Sequence, residues 1–252
     1  MSFQNRVALV TGAAHGIGKE IALVLGRAGV RLAVSYRTNK LGAQKVLNEL
    51  KAARGLATGP QDLAVATDVT DWRRAKELLE TVVRHFGRLD ILVNNVGDFE
   101  WKAVIDSTIA EWHSILASNL FSVFYTSKYA LPTMRAQRWG RIINIGSVGA
   151  ERTFGQAKIS AYSAAKSGMV AFSRSLALEE ARHGITVNVV NPPIMDDKDL
   201  TLEEAIRIAD ARFPAGRPPS IDDVAEAVKF FASEESSFVT GQVLTVSGGW
   251  ML

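Results

Sequence analysis

The stretch Arg6-Val7-Ala8-Leu9-Val10-Thr11-Gly12-Ala13-Ala14-His15-Gly16-Ile17-Gly18 decides the fold. Residues 6–11 form a short apolar run, which suits a strand buried on both faces of a parallel sheet. The chain then turns on Gly12, Gly16 and Gly18 into a helical segment over 17–28, with Gly29 placed to cap it. Glycines permit tight turning and close backbone approach. A helix start adds unpaired N–H groups and the positive end of a dipole, so the unit is predicted to receive a pyrophosphate. The spacing is Gly-x-x-x-Gly-x-Gly. It differs from Gly-x-Gly-x-x-Gly, and no Lys-Ser/Thr follows Gly18 as a P-loop would require.

Working outward, the same alternation continues. Strands are predicted over 31–36, 63–67, 89–94, 141–145, 185–190 and 242–246. Helices are predicted over 40–54, from a cap at Thr70 or Asp71 to 86, then over 111–137, 160–182, 201–212 and 221–233. Strands and helices in this order imply right-handed crossovers and an α/β fold. The expectation is one doubly wound, Rossmann-type domain over 1–252, a parallel sheet of about seven strands with helices on both faces. Such sheets bind ligands beyond the carboxyl ends of their strands.

Composition narrows the class. The chain has 252 residues, 47% hydrophobic and 22% charged, as a globular protein with a sizeable core requires. It has no cysteine, which removes disulfides, thiol nucleophiles and cysteine-held metals. No apolar run reaches membrane-spanning length and residues 1–6 lack a signal-peptide pattern, so a cytoplasmic protein is expected. The net charge of +3 comes from scattered lysines and arginines, without the basic run a nucleic-acid surface needs. His15, His85, His113 and His183 fall on separate elements, so no metal site is expected.

The end of the second strand reads Ser35-Tyr36-Arg37-Thr38. A carboxylate there would accept a ribose 2′-hydroxyl and repel a 2′-phosphate; none is present. Arg37 can fork onto a phosphate, and Ser35, Thr38 and His15 can donate to one, so NADP(H) is expected in preference to NAD(H). Asp68 and Val69 offer adenine a carboxylate and an apolar wall. Tyr162 and Lys166 stand one turn apart on a predicted helix, where an ammonium beside a phenol would favour the phenolate.

Thr11 to Gly18, Asn94-Asn95-Val96-Gly97, Ser147 and Tyr162-x-x-x-Lys166 occur in this order. Asn119, Asn191-Pro192 and an ending from Thr240-Gly241-Gln242 to Gly248-Gly249 accompany them. With these motifs the chain resembles the short-chain dehydrogenase/reductase family over nearly its whole length, and within it the bacterial 3-oxoacyl-[acyl-carrier-protein] reductase type. The resemblance implies hydride transfer between nicotinamide and a carbonyl or secondary alcohol, with a small carbonyl or alcohol as substrate. It makes Tyr162 the general acid, and Lys166 the group that lowers its pKa and holds the nicotinamide ribose. Ser147 would be the donor to the carbonyl oxygen, and Asn119 the anchor of a water chain to Lys166. Gly12, Ala14, His15, Gly16, Ile17 and Gly18 would hold the phosphates, and Tyr36, Arg37 and Thr38 the adenosine ribose end. Asp68 and Val69 would hold adenine, and Asn95, Val96, Gly97, Pro192 and Ile194 would line the nicotinamide half.

Three departures from the family pattern stand out. Pro193 replaces the usual glycine after Pro192, so the loop over the nicotinamide should follow another path. Asp197 stands near a common threonine position. The stretch 148–159 is longer than usual, which makes Arg152 and Phe154, with Trp101, candidates for shaping specificity. A substrate lid is expected roughly over 192–219. The resemblance also implies a homotetramer, with residues 111–137 and 160–182 pairing across one two-fold and the last strand with its 248–252 tail across another. A dehydrogenase of sugars or polyols, or an NADP-sensing protein without turnover, are the alternatives.

Overall fold

The computed structural model describes residues 3, 5–54, 61–153, 155–196 and 199–251. Its strands are β1 (Val7–Val10), β2 (Arg31–Tyr36), β3 (Leu63–Ala66), β4 (Ile91–Asn94), β5 (Gly140–Ile145), β6 (Ile185–Asn191) and β7 (Val243–Thr245). All pair in parallel, in the order β3-β2-β1-β4-β5-β6-β7. The order reverses between β1 and β4, so the crevice of this doubly wound sheet opens beyond the carboxyl ends of those two strands.

The two-residue period of a strand divides the core. Ala8 and Val10 point to the layer built by α1 (Gly16–Arg27), α2 (Lys40–Arg54) and α8 (Ile221–Ala232), where they meet Ile21, Leu25, Val224 and Val228. Val7 and Leu9 point to the opposite layer, with α3 (Trp72–Phe86), α5 (Ser122–Gln137) and α6 (Ser160–Glu180). That layer contributes Leu78, Leu79, Met134 and Leu176. Each fully buried Leu or Val stabilises the fold by about 1.5–3 kcal/mol, so both layers are needed to hold the sheet. Asp71 caps α3 by accepting from the Arg73 and Arg74 amides, and Gly87 ends it at φ 76°.

Three elements differ from expectation. The predicted helix over 111–137 is broken: α4 (Ile109–Leu116) passes through a π-turn at Ala117–Phe121 before α5. The helix expected over 201–212 is only α7 (Leu202–Ala205). Beyond it Phe213 is buried against Trp250, and Pro214 disfavours helical backbone at the residue before it. The last strand is trimmed to β7 because Gly241 (φ 71°) and Gly248 (φ 58°) turn the chain on either side.

Candidate active site

The glycine turn is stapled to the end of β4. Thr11 Oγ1 accepts from the Asn95 and Val96 amides at 3.0 and 3.3 Å, and Asn95 Nδ2 donates to the carbonyls of Thr11 and Gly12 at 3.0 and 3.2 Å. A Cβ on Gly18 would lie 2.4 Å from Asn95 Nδ2, so only glycine lets turn and strand close on each other. The Gly16 amide donates to Asp199 Oδ1 at 3.0 Å. A carboxylate from a distant loop thus occupies the start of α1, where the unpaired N–H groups and the positive end of the helix dipole favour an anionic oxygen.

Two adjoining cavities run across this crevice. The first, of about 230 Å³, is lined by Ala14, Tyr36, Arg37, Thr38, Asp68, Val69 and Val96. The second, of about 350 Å³, is lined by Gly16, Ile17, Gly18, Ser147, Tyr162, Lys166, Pro192 and Ile194. Gly12, His15, Asn95 and Gly97 border both. Every residue expected to touch the cofactor, from the glycine turn to Ile194, therefore lies on one continuous wall. The Arg37 side chain is exposed at the mouth of the first cavity. Burial pushes the Asp68 carboxyl up, but the Thr70 hydroxyl and amide at 2.7 and 3.0 Å outweigh it. With Arg37 they hold the group below its usual value.

In the second cavity the chemistry-bearing side chains converge. The Ser147 and Tyr162 side chains line the same cavity, with the serine hydroxyl near enough to act on the phenol. Lys166 Nζ donates to the Ile145 carbonyl at 2.7 Å and lies 5.6 Å from the centre of the Tyr162 ring. Phe99 packs edge-on against that ring at 5.0 Å. Burial raises the Tyr162 pKa above 10.0, and the nearby Ser147 hydroxyl opposes the rise. Burial also lowers Lys166, only 4% exposed, to about 8. Where the sequence points to an ammonium beside a phenol, desolvation is the largest influence on both groups, and the ammonium donates to a backbone carbonyl.

Asn119 is fully buried in the π-turn. Its Nδ2 donates to the carbonyls of Asp98 and Ile115 at 2.8 and 3.0 Å, which inserts the side chain into the helix and forces the extra residue. Its Oδ1 accepts from no described residue. A Cβ on Gly97 would lie 2.4 Å from that oxygen and 3.3 Å from Lys166 Nζ, so the two polar atoms close over the same glycine. An open acceptor beside an ammonium is what a bound water requires. Beneath, Asn94 Nδ2 donates to Asn144 Oδ1, and Asn144 Nδ2 donates to Ser173 Oγ, each at 2.8 Å. This buried relay fastens α6 to the strand ends.

Of the specificity candidates, Trp101 lines the second cavity and Arg152 does not; Arg152 donates to the Met251 carbonyl at 3.4 Å. Phe154 and Asp197 lie outside the described residues. Pro193 lines the cavity, and the Pro192 carbonyl accepts from the Val148 amide at 3.1 Å. Met195, Trp250 and Met251, which the sequence reading left out of the site, complete its apolar wall. Among the described residues no cluster of His, Asp or Glu could hold a metal, and no helix is long and apolar enough to cross a membrane.

A family model described as Enoyl-(Acyl carrier protein) reductase matches residues 12–251. The chain is 40% identical over 252 residues to the 3-oxoacyl-[acyl-carrier-protein] reductase FabG of Escherichia coli (strain K12), covering 99% of this chain and 98% of that relative. It is 38% identical over 248 residues to FabG of Staphylococcus aureus (strain Mu50), covering 97% of this chain and 98% of that one. The crystal structure of acetoin dehydrogenase YohF from Salmonella typhimurium superposes with a TM-score of 0.85 at 31% identity, over 98% of this chain and 96% of that one. From its first strand to its last, this chain belongs to the short-chain dehydrogenase/reductase family.

Proposed function

We propose that this chain is an NADP(H)-dependent reductase of a 3-oxoacyl thioester or a related β-keto compound. The observation that carries the reading is the meeting of Ser147, Tyr162 and Lys166 in a cavity that continues into the glycine turn. When bound, the nicotinamide supplies the hydride. Ser147 donates its hydroxyl hydrogen to the carbonyl oxygen and fixes its direction. Tyr162, kept protonated at neutral pH by burial, gives its proton to that oxygen as negative charge develops there. Lys166, charged below about pH 8, stabilises the phenolate left behind and passes it a proton from water held at Asn119 Oδ1. Carbonyl, hydride and proton give the alcohol.

Phe99, Trp101, Met195 and Trp250 on the wall favour an apolar chain over a sugar or polyol, which would leave hydroxyls unpaired there. The intact Ser147, Tyr162 and Lys166 set argues against a sensor without turnover. The test is NADPH consumption by the purified protein with short 3-oxoacyl thioesters, diketones, sugars and 2-enoyl thioesters. Activity with the oxoacyl thioesters supports the reading; turnover confined to enoyl thioesters or to sugars defeats it.

The missing carboxylate after β2 and the exposed Arg37 support NADPH over NADH. Arg37→Glu should raise the Michaelis constant for NADPH by about 10- to 100-fold, the loss of one charge-assisted contact, and leave that for NADH nearly unchanged. Equal effects on both cofactors would reject the assignment. Asp199 competes for the Gly16 amide, so Asp199→Ala should tighten NADPH binding by about three- to tenfold in a fluorescence titration. Weaker binding would show that the carboxylate supports the site instead.

A cytoplasmic homotetramer belongs to the same proposal, with a substrate lid over 192–219 of one domain. Phe121 at the end of the π-turn, Phe124 on α5 and Leu178 on α6 are exposed apolar side chains on the elements that would pair. Light scattering tests the assembly.

A further inference from the structure

The loop that carries Ser147 is tied to the end of β6 by one buried side chain. Asn191, the last residue of β6, accepts on Oδ1 from the Ser147 amide at 3.1 Å and donates from Nδ2 to Glu151 Oε2 at 2.7 Å. The fit is tight, since a Cβ on Gly146 would lie 1.9 Å from Asn191 Oδ1. Backbone bonds flank the contact, from the Gly146 amide to the Val190 carbonyl at 2.8 Å and from the Val148 amide to the Pro192 carbonyl at 3.1 Å. They fix the course of the loop. They do not choose which end of the Asn191 carboxamide faces Ser147.

Glu151 makes that choice. A backbone amide only donates and a carboxylate only accepts, so a single orientation of Asn191 satisfies both neighbours. Flipped, Nδ2 would oppose the Ser147 N–H and Oδ1 would oppose the carboxylate, two repulsive contacts at a position with no exposure to water. Glu151 lies on the short turn Ala150–Arg152, within the longer stretch between Ser147 and Tyr162. Arg152 Nε stands 3.6 Å from Glu151 Oε1 and steadies the carboxylate from outside.

We propose that Asn191, oriented by Glu151, is a positioning residue that holds the Ser147 backbone and so aims the serine hydroxyl at Tyr162 and the substrate oxygen. The inference rests on the reductase reading above, and neither side chain touches the reacting atoms.

Three variants test it. Glu151→Ala and Asn191→Ala should lower kcat by about tenfold or more, with the cofactor Michaelis constant little changed, because only the aim of Ser147 is lost. Glu151→Gln, whose carbonyl oxygen still accepts, should recover most of the loss. Asn191→Asp sets two carboxylates face to face, with Arg152 the cation against them and Tyr162 and Lys166 the other titratable groups of the cavity. One carboxylate must then keep a proton, which restores the donor-to-acceptor pattern at low pH and loses it as pH rises. Its kcat should fall with rising pH through a transition additional to the one the wild type shows near pH 8. Exchange of the Ser147 amide hydrogen reads the same contact without turnover: slow in the wild type and in Glu151→Gln, faster in Glu151→Ala. Glu151 is on a partly exposed turn, so that pair remains informative where Asn191→Ala fails to fold. Unchanged kcat and exchange in Glu151→Ala, or a wild-type pH profile in Asn191→Asp, would overturn the proposal. A wild type that reduces no carbonyl would defeat the reductase reading instead, and the exchange rates would still judge the contact.

Discussion

Tyr162→Phe is expected to lower kcat for carbonyl reduction by about 10²–10⁴-fold, the range supplied by a positioned proton donor. The substitution removes one oxygen and keeps the ring, so packing on Phe99 at 5.0 Å survives and NADPH affinity should change little. Ser147 would still donate to the carbonyl oxygen, but the alkoxide would have no acid to receive a proton from. The selective loss of kcat is the signature, since misfolding would weaken cofactor binding as well. Steady-state kinetics with a fluorescence titration of NADPH separate the two. A variant that kept a tenth of its turnover would remove Tyr162 from the role of acid.

Lys166→Met is expected to abolish nearly all turnover and to stabilise the fold. The lysine is 4% exposed, and its pKa of about 8 against an ordinary 10.5 records the cost of burying the ammonium, on the order of 3 kcal/mol. Below about pH 8 both folded and unfolded chains carry the proton, and the cost is borne in full. Between about 8 and 10.5 the unfolded chain binds a proton that the folded one has released, so stability contributed by this group rises with pH across that window. Methionine avoids the cost but forfeits the bond to the Ile145 carbonyl, leaving a net gain of about 1–3 kcal/mol at neutral pH. Urea unfolding should show that gain near pH 7 and a smaller one near pH 9.5. A less stable variant at both would mean that the ammonium is compensated in the folded protein. The wild-type reduction rate should likewise decline as pH rises past about 8, where the charge beside the phenol disappears.

Much of this was legible in the residues. The run into Gly12, Gly16 and Gly18 defines the first βα unit because strand burial and helix-start chemistry are local. Tyr162 and Lys166 share a face of α6 because i and i+4 spacing is local too. What escaped depends on tertiary contacts. Asn119 breaks the helix predicted over 111–137 by bonding across to Asp98, a partner 21 residues away. The buried hydroxyl run Ser118, Ser122 and Thr126, each near a helix carbonyl, was the available hint of an irregular turn there. Asn191 reads as a residue ahead of a proline until the fold sets it between Ser147 and Glu151. The balance of charge and burial at Tyr162 is the part least legible locally, because adjacency to Lys166 along a helix says nothing about desolvation.

The most direct test of the account follows the hydride itself. NADPH labelled with deuterium at the transferring position is offered with a 3-oxoacyl thioester, and the product is analysed by mass spectrometry and NMR. One deuteron on the carbon that bears the new hydroxyl, with the hydroxyl hydrogen drawn from solvent, is the predicted result. Bound cofactor with no label delivered to that carbon would contradict it.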